Sequence, residues 1–348
     1  MKSEHTGSNH TSPKGRHPQG QRSDSRRRSS SRHRRRRRRI NGHAVFFAVL
    51  GVLFLITILR LIIWNRGTDS GYDPNETTTE FDVEVLDYIQ PLDPALLEGR
   101  EDDGVTTILA LGNDPLSDDR SDSGLAGLIA RKTDATVYNG AFPGSTIAMK
   151  NPEYDSSYPL DGLSLYWTVA SLANQNFDLM DVIVPDLDSE SAREALAALK
   201  EVDMNAVDHL ILFYDLQDYM GGRIVYDENN LQNLNTCYGA LNASIQLVQE
   251  TWPHIRIFVL SPTYGTFAQG DGTQVDPSQD DLGNGTLVDY LNWQLEASRR
   301  NGVSFLDNYY GAVTVDDTDC LTDGYHLNQE GRERVAERFA QILLPAQD

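Results

Sequence analysis

Apolar residues fall along this chain in three regimes. Residues 44–64 (AVFFAVLGVLFLITILRLIIW) make one run interrupted only by Arg60. As a helix rising 1.5 Å per residue, such a run reaches about 30 Å, the depth of a bilayer's hydrocarbon core. Before it, residues 1–39 are nearly devoid of apolar side chains and predict a disordered tail. After it, residues 67–104 are acidic, polar and punctuated by proline, the pattern of a spacer with a short ordered piece around 81–89.

From Val105 the pattern changes to short apolar runs alternating with helical periodicity. Runs at 106–111, 135–141, 209–214, 256–260 and 303–306 are rich in Val, Ile, Leu and Phe, as strands buried on both faces are. Between them lie helical stripes: Leu125, Leu128 and Ile129, then 163–172, 192–199, 231–248, 287–297 and 335–343. Strand–helix alternation predicts an α/β fold, a three-layer α/β/α sandwich on a five-stranded parallel sheet, preceded by one transmembrane helix. The division expected is a basic tail (1–39), a membrane helix (40–66), a linker (67–104) and a folded domain (105–348).

Charge sharpens this division. The chain has 30 Lys and Arg against 51 Asp and Glu, but residues 1–39 carry 14 basic and two acidic side chains. Residues 67–348 carry 14 basic and 49 acidic. The arginine run 34–39 directly before the apolar segment predicts a single-pass protein with its N-terminus cytoplasmic and its acidic domain outside the cell membrane. No small-x-small cleavage site follows Trp64, so an uncleaved anchor is expected. Membrane lipid is the expected partner of residues 44–64 and of the basic tail. Nucleic acid is the alternative for the tail and is disfavoured beside a membrane helix.

Reactive groups of a parallel sheet collect at the carboxyl ends of its strands. There the sequence offers GNDPLSDDR (112–120), FPGST (142–146), YDLQDY (214–219) and the late loop TDCLTDGYHLN (318–328). In that loop Asp323 precedes His326 by three residues and can accept its Nδ1 proton, leaving Nε2 to act as a base. Alternatively Asp323 caps the last helix and His326 is an ordinary surface residue. For Asp218 the favoured role is to tie down backbone N–H groups of its loop.

DGYHLNQEG (323–331) resembles the last block of the SGNH (GDSL) hydrolase superfamily, where Asp and His of a Ser-His-Asp triad reside. TTILALGND (106–114), VYNGAFPGST (137–146) and DHLILFYDLQDY (208–219) resemble the three earlier blocks, in chain order. The resemblance spans about residues 105–345 and implies a flavodoxin-like strand order, 2-1-3-4-5. It also implies O-acyl ester hydrolysis, on acylated carbohydrate or a cell-envelope polymer. Carried over by position, Asp114 stands where the family has its nucleophilic Ser, and Gly144 supplies an oxyanion N–H. Gln217 replaces the oxyanion Asn, and Asp323 and His326 form the base pair.

The change at Asp114 leaves three readings. In one, the domain is a degenerate esterase that recognises a ligand as a surface glycan-binding or envelope-assembly module. A carboxylate nucleophile yields an anhydride, needs no His, and puts charge where an oxyanion must form. In another, Ser117, Ser121 or Ser145 replaces the lost hydroxyl. In the third, Asp114 is itself a nucleophile or general base. Gln217 either donates to an anion from its longer arm or caps its own loop.

No cofactor is implied. The acidic clusters Asp118/Asp119/Asp122, Asp186/Asp188/Glu190 and Asp316/Asp317/Asp319 lack calcium-loop spacing and read as solvated caps. Eight His and two Cys argue against a zinc site. Cys237 and Cys320 are expected as separate thiols, with a disulfide as the alternative.

Overall fold

The computed structural model describes residues 47, 50–58, 60, 84–100 and 103–344. The chain divides into two units, Met1–Glu80 and Phe81–Asp348. In the first, residues 50–58 are helical and their large apolar side chains are exposed, Phe54 by 67%. Thr57 Oγ1 donates to the Leu53 carbonyl at 2.9 Å. Among the described residues no helix is long and apolar enough to cross a membrane. The basic tail expected at 1–39 and much of the span expected at 40–66 lie outside the described residues.

The second unit holds β1 (Thr107–Gly112), β2 (Thr136–Asn139), β3 (His209–Phe213) and β4 (Arg256–Leu260), then β5 (Phe267–Ala268), β6 (Gln274–Val275) and β7 (Ser304–Leu306). Five of these form one parallel sheet in the order β2-β1-β3-β4-β7, the order expected; β5 and β6 make a separate antiparallel pair. All six residues of β1 are buried, which is why its apolar run is unbroken. Alternate residues serve opposite faces. Leu109, Leu111, Leu210 and Leu212 join one core, and Ile108, Ala110, Ile211 and Phe213 the other.

Helices cover both faces. In chain order they are α1 (Asp114–Ser117), α2 (Leu125–Thr133), α3 (Leu165–Asn174), α4 (Asp178–Asp186), α5 (Glu190–Glu201), α6 (Gln217–Met220), α7 (Cys237–Thr251), α8 (Leu287–Asn301), α9 (Asn308–Gly311) and α10 (Gln329–Leu343). Leu125 and Ile129 of α2 pack with Val335 and Phe339 of α10 on one side. Val169, Leu196, Leu241 and Leu291 bring α3, α5, α7 and α8 to the other. Each such side chain, fully buried, contributes roughly 1.5–3 kcal/mol.

The differences from expectation have local causes. The helix expected from 231 starts at Cys237, because the side chains of Asn230 and Asn233 accept from Gln232 N and Asn235 N and turn the chain. Thr236 then caps α7 through Gly239 N at 3.0 Å. Within the expected spacer, residues 86–90, which overlap the short ordered piece expected around 81–89, lie along the sheet's edge, and Arg100 reaches Asp208 before β3. Tyr88 bridges Phe305 antiparallel, with N–O distances of 2.9 and 2.7 Å, and Asp87 pairs with Arg338 at 2.6 Å. Covering the open side of β7 satisfies backbone groups that would otherwise face solvent. Cys237 and Cys320 are both buried and free.

Candidate active site

The site begins where β1 ends. A Cβ on Gly112 would run into the carbonyl oxygen of Phe213 on the neighbouring strand, so glycine lets the two strands approach. Asn113 follows, fully buried, and its side chain pins two other loops. Nδ2 donates to the Ser145 carbonyl at 3.0 Å, and Oδ1 accepts from Asp215 N at 2.9 Å. Nothing in the sequence pattern singled Asn113 out, because its partners lie 32 and 102 residues away.

Asp114 opens α1 with its carboxylate turned inward, and the residue is 8% exposed. Oδ1 accepts the backbone N–H of Gly144 at 2.7 Å, and Oδ2 accepts from Gln217 Nε2. Gly144 has φ +68°, a left-handed conformation that favours glycine and aims this N–H at Asp114. Asp218 holds the same loop by accepting Ile147 N at 2.8 Å and Ala148 N at 2.9 Å. Its Oδ1 also lies 3.3 Å from the Cys237 thiol. The two donors that the family resemblance assigns to an oxyanion therefore meet at a carboxylate of the protein itself.

The late loop is closed by a bridge between Leu321 and Leu327, with Asn328 N donating to the Cys320 carbonyl at 3.0 Å. The final helix is capped by Asn328, which accepts Gly331 N at 3.1 Å. Asp323 is thereby left for His326: its Oδ2 lies 2.8 Å from Nδ1, and its Oδ1 accepts His326 N at 3.1 Å. The capping alternative for Asp323 is thus not the one adopted. On the other side of the ring, Nε2 faces Asp118 Oδ2 at 4.0 Å. In the sequence Asp118 stands as one acid of the run Asp118/Asp119/Asp122. Its place beside His326 depends on a contact across 208 positions, which sequence spacing does not reveal.

A notch of about 10 Å³ is lined by Asp114, Asp215, Gln217, Tyr325, His326 and Leu327, with Pro115 and Leu216 completing it. That is room for about one water molecule. No serine, threonine or cysteine lines it. Of the alternative hydroxyls, Ser145 is fully buried and donates to the Gly112 carbonyl at 3.1 Å. Ser121 Oγ is held by Asp119 at 2.6 Å, and Ser117 Oγ is buried without a partner and does not line the notch.

The charges around the notch shift one another. Burial pushes the Asp118 carboxyl up to about 6, with the Asp114 charge adding to it and His326 and Arg332 opposing. Burial likewise pushes Asp215 up to about 7, against hydrogen bonds from Thr263. For His326, burial disfavours the charged ring, but the bond to Asp323 and the charges of Asp118 and Asp114 outweigh it, leaving its pKa above the ordinary value. For Asp323, burial raises the pKa, and the bonds to His326 more than reverse it. Among the described residues no cluster of three or more His, Cys, Asp or Glu is arranged to hold a metal ion. Asp119 and Asp317 instead accept from Ser121 N and Thr314 N, as caps do.

The site therefore brings Asp114, Gly144, Gln217, Asp323 and His326 to one end of the sheet. No family model matches the chain, and no curated protein matches it. Solved structures do. One crystal structure is 18% identical, covers 69% of this chain and 96% of its own, and superposes with a TM-score of 0.50. A "possible lipase" from Chitinophaga pinensis is 14% identical over 68% of this chain and 97% of its own, with a TM-score of 0.44. A carbohydrate acetylesterase from Sinorhizobium meliloti is 12% identical over 68% and 98%, with a TM-score of 0.38. Likeness at these identities concerns the fold alone.

Proposed function

We propose that this SGNH hydrolase-like fold is carried outside the cell on a single membrane helix and recognises acylated carbohydrate or envelope polymer without cleaving it. One observation carries the non-hydrolytic part: the Asp114 carboxylate accepts from both Gly144 N and Gln217 Nε2. In an acyl transfer those donors act on charge that develops only in the transition state. Here a side chain of the protein already holds them in the resting state. The notch that contains His326 is lined by no Ser, Thr or Cys, so the ring has no side-chain nucleophile of the acyl-enzyme kind beside it. Asp114 is buried and already bonded to two donors, which leaves its carboxylate poorly placed for attack on an ester.

The ligand class follows from the family resemblance and the outward topology read from the sequence. The exposed apolar side chains of residues 50–58 agree with a membrane setting for that segment. The decisive experiment uses the full chain in detergent micelles with p-nitrophenyl acetate and acetylated oligosaccharides. The expected result is no turnover above that of His326→Ala, together with retention of the oligosaccharide. Turnover by the wild type that disappears in His326→Ala would restore the esterase reading, and absence of binding would remove the recognition role. On intact cells, a Cys placed at Ser70 is expected to react with an impermeant maleimide and one at Ser12 to be spared. The reverse pattern would overturn the orientation.

A further inference from the structure

His326 lies between two carboxylates from different parts of the chain. Asp323 belongs to its own loop and touches Nδ1 at 2.8 Å, while Asp118, just past α1, faces Nε2 at 4.0 Å. A second pair runs alongside. Arg332 Nη2 lies 3.2 Å from Asp119 Oδ2, and its Nη1 donates to the Leu327 carbonyl at 3.0 Å. The turn after β1 is thus joined twice to the last loop and α10, beside the ring that lines the notch.

We propose that Asp118 and Asp323 together hold His326 as an imidazolium, and that this trio is a pH-dependent latch closing the carboxyl end of the sheet. A base poised for catalysis keeps its free nitrogen available to a substrate proton. Here the free nitrogen is directed at an anion, and the ring's charge is what joins the two segments. The groups facing the ring are Asp114 and Asp118 from the turn after β1, and Asp323 and Tyr325 from its own loop. Asp215 lines the same notch, and Arg332 acts on Asp118 from α10.

The sign follows from the two titrations. His326 has a raised pKa, so the latch is present below its midpoint and is lost as pH rises through it. Asp118 titrates near 6, so the latch also weakens as pH falls through that value. It is strongest in the window between.

The latch goes beyond the recognition reading, since it requires neither hydrolysis nor a ligand. Its test follows the His326 Cε1 resonance against pH in the histidine-labelled full chain in micelles, assigned with His326→Gln. The wild-type midpoint is expected above the ordinary 6.5. Asp118→Asn should lower it by about one pH unit, the scale of removing one charge at about 4 Å in a partly wet site. Asp119→Asn, which leaves both carboxylates on the ring, should leave it in place. Asp118→Ser, an independent replacement, should reproduce the fall if Asp118→Asn does not fold. A midpoint unchanged in a folded Asp118 variant would overturn the latch. No outcome depends on whether the chain cleaves an ester.

Discussion

The two ends of the sheet are built to opposite plans. At the amino ends of β1, β3 and β4, a cavity of about 490 Å³ is lined by Arg100, Asp208, His209, His254 and Arg256 among others. At the carboxyl ends, polar side chains from four loops bond to one another around a notch of about 10 Å³. The cavity at the amino ends is therefore roomy where the notch beside His326 is nearly filled. The difference teaches that the reactive end of this architecture has been filled from within: Asp114 occupies the donors, and Asp118 occupies the free side of His326. At the amino end, Arg100 pairs with Asp208 at 2.5 Å while both side chains remain about a quarter exposed.

If that contrast is right, substitutions at the carboxyl end cost far more stability than those at the amino end. Gly112→Ala is expected to be the most damaging, by about 3 kcal/mol, since its methyl meets Phe213 backbone that cannot retreat without parting two strands. Asn113→Ala should follow at about 2–3 kcal/mol, because it strands the Ser145 carbonyl and Asp215 N in the interior. Arg100→Ala should cost about 1 kcal/mol or less, the range of a solvent-screened pair. Urea midpoints of the three variants check the ranking, and an Arg100 variant as damaged as Gly112→Ala would erase the contrast.

Acidity separates the ends more finely. Burial, with Arg256 and Arg100 assisting and Asp208 opposing, lowers the His209 pKa to about 4. The unfolded chain then binds more protons at this site, so its contribution to stability falls as pH drops from about 6.5 towards 4. Asp215 has the opposite sign. Raised to about 7, it favours the folded state most below its unfolded value of 3.8, and that favour is lost as pH rises through 7. Between about pH 4 and 7 the two contributions oppose each other, so the stability profile from thermal unfolding should fall more steeply with rising pH in His209→Gln and rise more steeply in Asp215→Asn. Identical profiles in both variants would show that the ends do not titrate independently.

Much of this was legible in the sequence, and the reason is local. The buried strands announce themselves as unbroken apolar runs, and their order is the one the family resemblance implies. The Asp323–His326 bond is also local, closed within three residues. What stayed hidden depends on contacts between distant segments. The sequence put Asp114 at the nucleophile's place but could not show its two oxygens turned towards Gly144 and Gln217. It showed Asp118 as one acid in an acidic run, since its partner arrives from the last loop. The pairing of Tyr88 with β7 was hidden for a similar reason: residues 84–100 carry a spacer's composition and gain their order from an edge strand more than 200 positions away.

Restoring the hydroxyl that Asp114 displaces tests the filled donor pair most directly. Asp114→Ser removes the anion from Gly144 N and Gln217 Nε2 and puts a nucleophile in the notch with His326. The account predicts a wild type without turnover of p-nitrophenyl acetate. Above the pH at which His326 loses its proton, Asp114→Ser should hydrolyse it on the order of 100-fold above that background, and a second change, His326→Ala, should abolish the gain. A wild type that already turns over the ester, and loses that activity in Asp114→Ser, would contradict it.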